Sequence, residues 1–363
     1  MTATVLFDVG HPAHVHLFKH AIGELEDLGH ETHVFSREKD LTVTLLDRYG
    51  IDHTPLSRKR SNVAGLFLEL IEREIRTLRA TRRIDPDVVV SSPIPPAAHA
   101  ARLNGTPMIL FDDSEVATLQ ARLTHPFATK ICTPVNYGRD LGAKQERYAG
   151  YHELAYLHPN RFDPDPDRLR AVGVDPHEHY SVCRFVSWSA SHDTGNRGFS
   201  REGKRELLSL LSEEGPAYVT SEDPLPPEFE PYRLPVPPEL IHDLLYYADL
   251  YVGDSQTMAT EAAILGTPAI RSNSFVGDGD MSNFVELEST YGLLSSLSDE
   301  RETLALARDL STDPDAKARW RRKRRKLLDD KIDVTTYLIE TILETAGEPR
   351  EKPGIDLEAG IGR

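Results

Sequence analysis

The chain has 363 residues, more than one hydrophobic core ordinarily serves, and 39% of them are hydrophobic, so two globular domains are expected rather than wholesale disorder. Its 58 acidic residues outnumber 42 basic ones, and a net charge of -16 works against a nucleic-acid partner, which most of that surface would repel. Two distant cysteines, Cys132 and Cys183, suggest neither a disulfide framework nor a thiolate zinc site; no apolar run nears the roughly 18 residues of a membrane span and no basic leader precedes the first strand, so a soluble, cytoplasmic protein is expected.

The first half alternates short β-branched runs with amphipathic segments: TVLFDVG, HVHLFKHAIGELEDLG, ETHVFSR, DLTVTLLDRYG and IDHTPL. A long helical pattern, SNVAGLFLELIEREIRTLRATRR at 61–83, is followed by DPDVVVSSP, the helix PAAHAARLNG, TPMILFDD and TKICTP. Strands separated by helices of this length call for parallel βαβ units, here about six strands in a doubly wound domain spanning 1–160.

Two strand ends in this half carry chemistry. The junction DVGHPAHVH, from Asp8 to His16, gathers His11, His14 and His16 beside Gly10. A neutral imidazole such as His14, with a pKa near working pH, can take a proton from a hydroxyl; packing at a helix start and an HxxHxH metal site are the other readings. The run ILFDDSE puts Asp112, Asp113 and Glu115 at the end of another strand. Asp113 or Glu115 can serve as acid or base or orient His14, or Asp112 or Asp113 caps the next helix.

The stretch HPNRFDPDPDRLRAVGVDPHEHY, between Tyr156 and Tyr180, is rich in Pro and Asp and reads as an exposed connection. A second alternating series then runs YSVCRFVSW, SREGKRELLSLLSEEG, PAYVTSED, PELIHDLLYYAD, LYVGDS, TMATEAAILG and TPAIRSN, a second Rossmann-like domain at 180–330. Its first loop, RFVSWSASHDTGNRGF, offers Arg184, His192 and Arg197 as cations for an anionic ligand, against the reading of a surface loop with incidental charge. Arg271, after GTPAI, is a further cation.

In GDSQTMATEAAILGTP, Gly253 permits a tight exit from a buried strand, and a helix runs from about Thr257 to Gly266. Unsatisfied N–H groups and the positive end of the dipole at its start suit a diphosphate, with hydroxyls from Ser255 and Thr257. Glu261, on the same face as Thr257 and Met258, can accept both hydroxyls of a ribose. The alternative is a plain N-cap with an acid complementing the dipole.

Two helical patterns follow at 300–310 and 314–329, the second containing RWRRKRRK at 319–326. That run reads either as a solvated face docked on acidic neighbours or as a peripheral contact with an anionic membrane. A helix at 333–346 and a Gly/Pro/charge-rich tail at 347–363, expected to be disordered, end the chain.

The run DSQTMATEAAILGTP resembles the nucleotide-sugar motif of the GT-B superfamily, UDP-N-acetylglucosamine 2-epimerases and related glycosyltransferases, with Gln256 and Thr257 where Gly-Gly is usual. FDVGHPAHVHLFK, RFVSWSASHD and QTMATEAAILGTPAIR are similar to an archaeal family, domain of unknown function 354. The resemblance implies an α/β, GT-B-like fold of two Rossmann-like domains facing across a cleft, helix 333–346 bracing the first. It also implies a nucleotide sugar as donor substrate, held by Arg184, His192, Arg197, Ser255, Gln256, Thr257, Met258 and Glu261, with His14, Asp113 and Glu115 on the side of a glycan or lipid-linked acceptor. Neither cofactor nor metal is implied for such a transferase; a UDP-sugar 2-epimerase and a non-catalytic nucleotide-sugar-binding or assembly protein are the alternatives. Eleven lysines against 31 arginines in so acidic a chain are similar to halophilic archaeal composition.

Overall fold

A computed structural model describes residues 2–39, 41–60, 62–185, 199–221, 224–273, 276–277 and 280–347. The chain divides into two compact units, one of residues 1–135, 139–148 and 334 onward, the other of 136–138 and 149–333.

Unit 1 holds strands β1 (Thr4–Val9), β2 (Glu31–Glu38), β3 (Thr54–Arg58), β4 (Val88–Ser91), β5 (Met108–Phe111), β6 (Lys130–Pro134) and β7 (Gln145–Tyr148). They form one parallel sheet in the order β3-β2-β1-β4-β5-β6-β7. Its helices are α1 (Pro12–Asp27), α2 (Thr42–Arg48), α3 (Val63–Ile84), α4 (Pro95–Asn104) and α5 (Thr118–Thr124). The central strands β4 and β5 are buried throughout, as a sheet covered on both faces requires.

Local chemistry sets the helix limits. Proline opens α1 and α4, Asn62 caps α3 by accepting from Gly65 N at 2.6 Å, and Gly105 ends α4 in the left-handed region at φ 69°.

Unit 2 contains strands β8 (Ser181–Arg184), β9 (Ala217–Thr220), β10 (Leu250–Gly253), β11 (Ala269–Ser272) and β12 (Leu294–Leu297), parallel in the order β12-β11-β10-β8-β9. Around it lie α6 (Leu154–Leu157), α7 (Pro166–Ala171), α8 (Arg201–Leu211), α9 (Ile241–Tyr247), α10 (Gln256–Leu265), α11 (Ser282–Ser289), α12 (Glu300–Ser311) and α13 (Ala316–Asp330). Residues 149–160 belong to this unit, and all four residues of α6 are buried, so the stretch from Tyr156 starts inside a core rather than as an exposed connection. The last helix, α14 (Val334–Ala346), belongs to unit 1 and packs on α1, with the Tyr337 ring 5.0 Å from Tyr148 and Lys130 paired to Glu344 at 2.8 Å.

The basic run 319–326 lies on α13, and most of its cations bond to carbonyl oxygens. Arg321 donates to Tyr246 O, Lys323 to Gly292 O, Arg324 to Ile264 O and Lys326 to Thr290 O, while Trp320 is buried and donates to Leu293 O. These carbonyls lie at or just beyond the C-terminal ends of α9, α10 and α11, where helices leave acceptors unsatisfied and favour positive charge.

Candidate functional site

In each unit the strand order reverses at one point, β1/β4 in unit 1 and β8/β10 in unit 2, and in open α/β sheets ligands bind beyond the carboxyl ends of the strands at such a point. Of the described residues singled out from sequence, His14, Arg184, Ser255, Gln256, Thr257, Met258 and Glu261 fall at or near these two points.

In unit 2, register pairs Arg184, the last residue of β8, with Gly253, the last of β10. A Cβ on Gly253 would sit 2.5 Å from the Arg184 carbonyl oxygen and 2.6 Å from the Tyr251 hydroxyl, so only glycine allows this close turn. Ser255 then caps α10, its Oγ accepting from Met258 N at 3.4 Å. The helix therefore begins at Gln256, with Gln256, Thr257 and Met258 on its first turn, and ends at Gly266 in the left-handed region, φ 77°. Arg184 Nη1 donates to Thr220 Oγ1 at 3.1 Å, which ties the cation to the end of β9.

Glu261 lies in the second turn of α10 and is buried, so it is more than a surface acid facing the dipole. The Tyr156 hydroxyl donates to its Oε1 at 2.8 Å, and His242 Nε2 lies 3.0 Å from the same oxygen. Both contacts fall on Oε1; Oε2 accepts no bond from the described residues. The Tyr156 and His242 rings are themselves 5.1 Å apart, so the carboxylate is fixed by a packed pair of partners.

Two further polar groups lie near Asp254 at this strand end. Lys204 on α8 is buried with its Nζ 5.3 Å from the Phe185 ring; burial pushes its pKa down, and Asp254 and Glu300 partly offset this. The Tyr251 hydroxyl is sealed from solvent and has no hydrogen-bond partner among the described residues. Lys204 was hidden in the sequence as one charge in an amphipathic helix, and His242 and Tyr156 had no local signal. Arg271 has another role: fully buried, it pairs with Asp280, bonds Ser296 Oγ and stacks 3.7 Å from the Phe284 ring centroid. His192 and Arg197 lie outside the described residues.

In unit 1, an open cavity of about 330 Å³ lies at the β1/β4 reversal, lined by Gly10 and His14 after β1, Arg37 of β2, Glu69 and Arg73 of α3, and apolar residues including Ile94. Arg73 Nη2 donates to Asp8 Oδ1 at 2.5 Å beneath the cavity. Burial raises the Asp8 pKa above 3.8, and the guanidinium opposes that rise. Glu69 accepts from Arg37 Nε and Nη2 at 2.7 and 3.0 Å, from Ser57 Oγ at 3.1 Å and from Arg60 N at 3.2 Å. Burial works to raise its pKa, but these donors outweigh it and hold the carboxyl below 4.5. A Cβ on Gly10 would meet Ile94 Cδ1 at 3.3 Å and Arg73 Nη2 at 3.7 Å, so a larger residue here would narrow the cavity.

The three histidines after β1 diverge. His11 caps α1, its Nδ1 accepting from Ala13 N at 3.2 Å; His16 turns to the Tyr49 hydroxyl at 3.4 Å; His14 faces the cavity. The HxxHxH run therefore forms no cluster, and among the described residues no three His, Cys, Asp or Glu side chains meet as metal ligands. His14 Nδ1 accepts from Gly10 N at 3.4 Å, which places the proton of the neutral ring on Nε2 and makes that nitrogen a donor in this arrangement.

Asp113 and Glu115 are half-buried beyond β5, two strands from β1 and so about 10 Å along the sheet edge. Neither lines the cavity of His14. Neither Asp112 nor Asp113 caps α5, whose N-cap is Ala117 without a side-chain bond; Asp112 instead accepts from Ser114 N and lies 2.9 Å from His125 Nε2.

No family model matches the chain. An uncharacterized protein of Methanocaldococcus jannaschii is 23% identical over 279 residues, 73% of this chain and 80% of that one. Among solved structures, a putative UDP-N-acetylglucosamine 2-epimerase from Listeria monocytogenes aligns with TM-score 0.67 at 12% identity, covering 95% of this chain and 96% of its own. The spinosyn forosaminyltransferase aligns at 0.63 and 15%, covering 96% and 100%, and the UDP-GlcNAc 2-epimerase from Methanocaldococcus jannaschii at 0.63 and 13%, covering 94% and 99%. The chain has the GT-B fold of these glycosyltransferases and epimerases over nearly its whole length.

Proposed function

We propose that the chain is a nucleotide-sugar-dependent glycosyltransferase that transfers its sugar to a hydroxyl of a glycan or lipid-linked acceptor. The observation that carries this reading is the β8/β10 reversal, to which a helix N-terminus, Arg184 and a carboxylate fixed through one oxygen all belong.

The diphosphate sits at the N–H groups of Gln256 and Thr257, with the Ser255 and Thr257 hydroxyls and the positive charge of Arg184 and Lys204, while Met258 N holds the Ser255 cap; His192 and Arg197, outside the described residues, are further candidate cations. Glu261 accepts the ribose hydroxyls through Oε2 while Tyr156 and His242 hold Oε1. As the acceptor oxygen attacks the anomeric carbon, the bond to the diphosphate breaks and negative charge grows on the leaving group. The helix dipole and the two cations stabilise that charge, so the proposal assigns no metal.

On the acceptor side His14 contacts the hydroxyl, and Asp113 and Glu115 supply charge further along the edge. With the proton on Nε2, His14 orients the acceptor by donating to it; as the Gly10 bond opens the ring proton moves to Nδ1, and Nε2 then takes the proton that the acceptor hydroxyl loses on transfer.

Titration calorimetry in high salt against UDP-, GDP-, dTDP- and CDP-sugars tests the reading, with Glu261→Ala as control. Saturable binding of one nucleotide class that Glu261→Ala abolishes supports it, and a folded protein that binds none refutes it. Incubating the bound donor without acceptor in heavy water then separates the chemistries, because a 2-epimerase exchanges a sugar proton for deuterium and a transferase does not. His14→Gln retaining more turnover than His14→Ala identifies a donor role; equal loss identifies a base.

A further inference from the structure

Helix α3 is amphipathic in the reverse sense. The side it turns to the protein carries Glu69, Arg73, Thr77 and Thr81, all buried, while Leu66, Phe67, Leu68, Leu70, Ile71 and Ile75 face solvent. Phe67 is 63% and Leu68 54% exposed, on a helix whose Glu69 and Arg73 are drawn inward by Arg37, Ser57 and Asp8. A contiguous apolar face of this kind on a water-facing helix marks a surface that something covers.

Charge identifies the occupant. Exposed Arg58, Lys59 and Arg60 precede the apolar turns, and exposed Arg76, Arg79, Arg82 and Arg83 follow them along the same helix; Arg58 pairs with Glu38 and both Arg60 and Arg76 with Glu72, while Arg79, Arg82 and Arg83 form no ion pair among the described residues. This basic concentration stands in a chain of net charge -16. A second copy of the chain crossing α3 antiparallel would set the cations before one helix against those at the end of the other. An anionic lipid surface meets both ends favourably and accepts the apolar face between them.

We infer that α3 is an interfacial membrane anchor, lying in the plane of an anionic bilayer with its outward apolar face among the acyl chains and its flanking arginines and lysine on the head groups. Leu66 and Leu70 belong both to this face and to the wall of the unit 1 cavity, so the cavity opens beside the lipid surface. The inference does not depend on the transferase reading, because its readout is lipid binding and not turnover.

Cosedimentation of the full chain with phosphatidylglycerol vesicles and with phosphatidylcholine vesicles tests it. The chain is expected to bind the anionic vesicles in preference, more weakly as salt rises. The triple variant Phe67→Ser, Leu68→Ser, Ile71→Ser is expected to lose at least about tenfold in affinity, a loss worth about 1.4 kcal/mol. Arg79→Gln, Arg82→Gln and Arg83→Gln are expected to cost about fivefold each towards anionic vesicles. Leu28→Ser, which removes an apolar side chain exposed elsewhere, is expected to leave binding unchanged. Circular dichroism of each variant distinguishes lost anchoring from lost folding. Absence of vesicle binding by the folded wild type overturns the inference. So does a stable lipid-free dimer in light scattering that the triple serine variant dissolves, which would assign the face to a second copy.

Discussion

Replacing Arg73 by Met tests whether Asp8 is held as a charge beneath the unit 1 cavity. The substitution keeps a similar volume and removes the cation that donates to Asp8, whose side chain is fully buried. The stranded carboxylate can escape only by taking up a proton. From an ordinary pKa of 3.8 in the unfolded chain, that protonation costs about 4 kcal/mol at pH 7, at about 1.4 kcal/mol per unit. The loss is therefore capped near about 4 kcal/mol at pH 7, within the range of about 3–5 for halving a buried pair, and shrinks to about 1.5 at pH 5. Asp8→Asn combined with Arg73→Met removes both charges, so most of the loss should return and its pH dependence should vanish. Hydrogen exchange of peptides covering β1 and β4, compared with wild type between pH 5 and 7, reads the opening free energy of this region directly. A single variant that opens as rarely as wild type at pH 7, a loss equal at both pH values, or a double variant as unstable as the single one would refute the reasoning.

Gly253→Ala places a Cβ against the Arg184 carbonyl and the Tyr251 hydroxyl, and a cost of about 1–3 kcal/mol is expected in the melting of unit 2; an unchanged melt would show that the turn relaxes freely. Glu69, held below 4.5 in the folded chain, contributes stability that is present above that value and is lost as pH falls through its lowered folded pKa. Glu69→Gln should accordingly flatten the acid limb of the unit 1 melting profile, and an unaltered limb would assign the acid sensitivity elsewhere. Arg324→Ala removes a donor to the Ile264 carbonyl at the end of α10, with an expected loss of about 0.5–1.5 kcal/mol in urea denaturation and no change in vesicle binding.

The junction after β10 was legible because its signals are local. Ser255 caps within three residues, and Gly266 ends the helix in a conformation glycine adopts without strain. The environment of Glu261 was not legible, since His242 and Tyr156 are 19 and 105 residues away. Strands β7 and β12, QERY and LSSL, escaped the alternating pattern because they are sheet edges with half-covered, polar-interrupted sequences rather than buried apolar runs. In α3 the periodicity was visible at 61–83, but a period reveals that a helix has two faces and not which of them turns inward.

From the sequence alone come the alternation of strand and helix, the parallel sheets it requires and the ends of most helices, because each rests on interactions within a few residues. Tertiary structure decided that Arg184 and α10 share one strand-order reversal while His14 lies at the other, that Glu261 is held through one oxygen, and that the basic run on α13 bonds carbonyls at helix ends. It also turned Glu69 and Arg73 of α3 inward and left its apolar residues outside. Burying a charge is tolerable only where a partner waits, and for Glu69, Arg73 and Glu261 those partners arrive from other elements once the chain has folded.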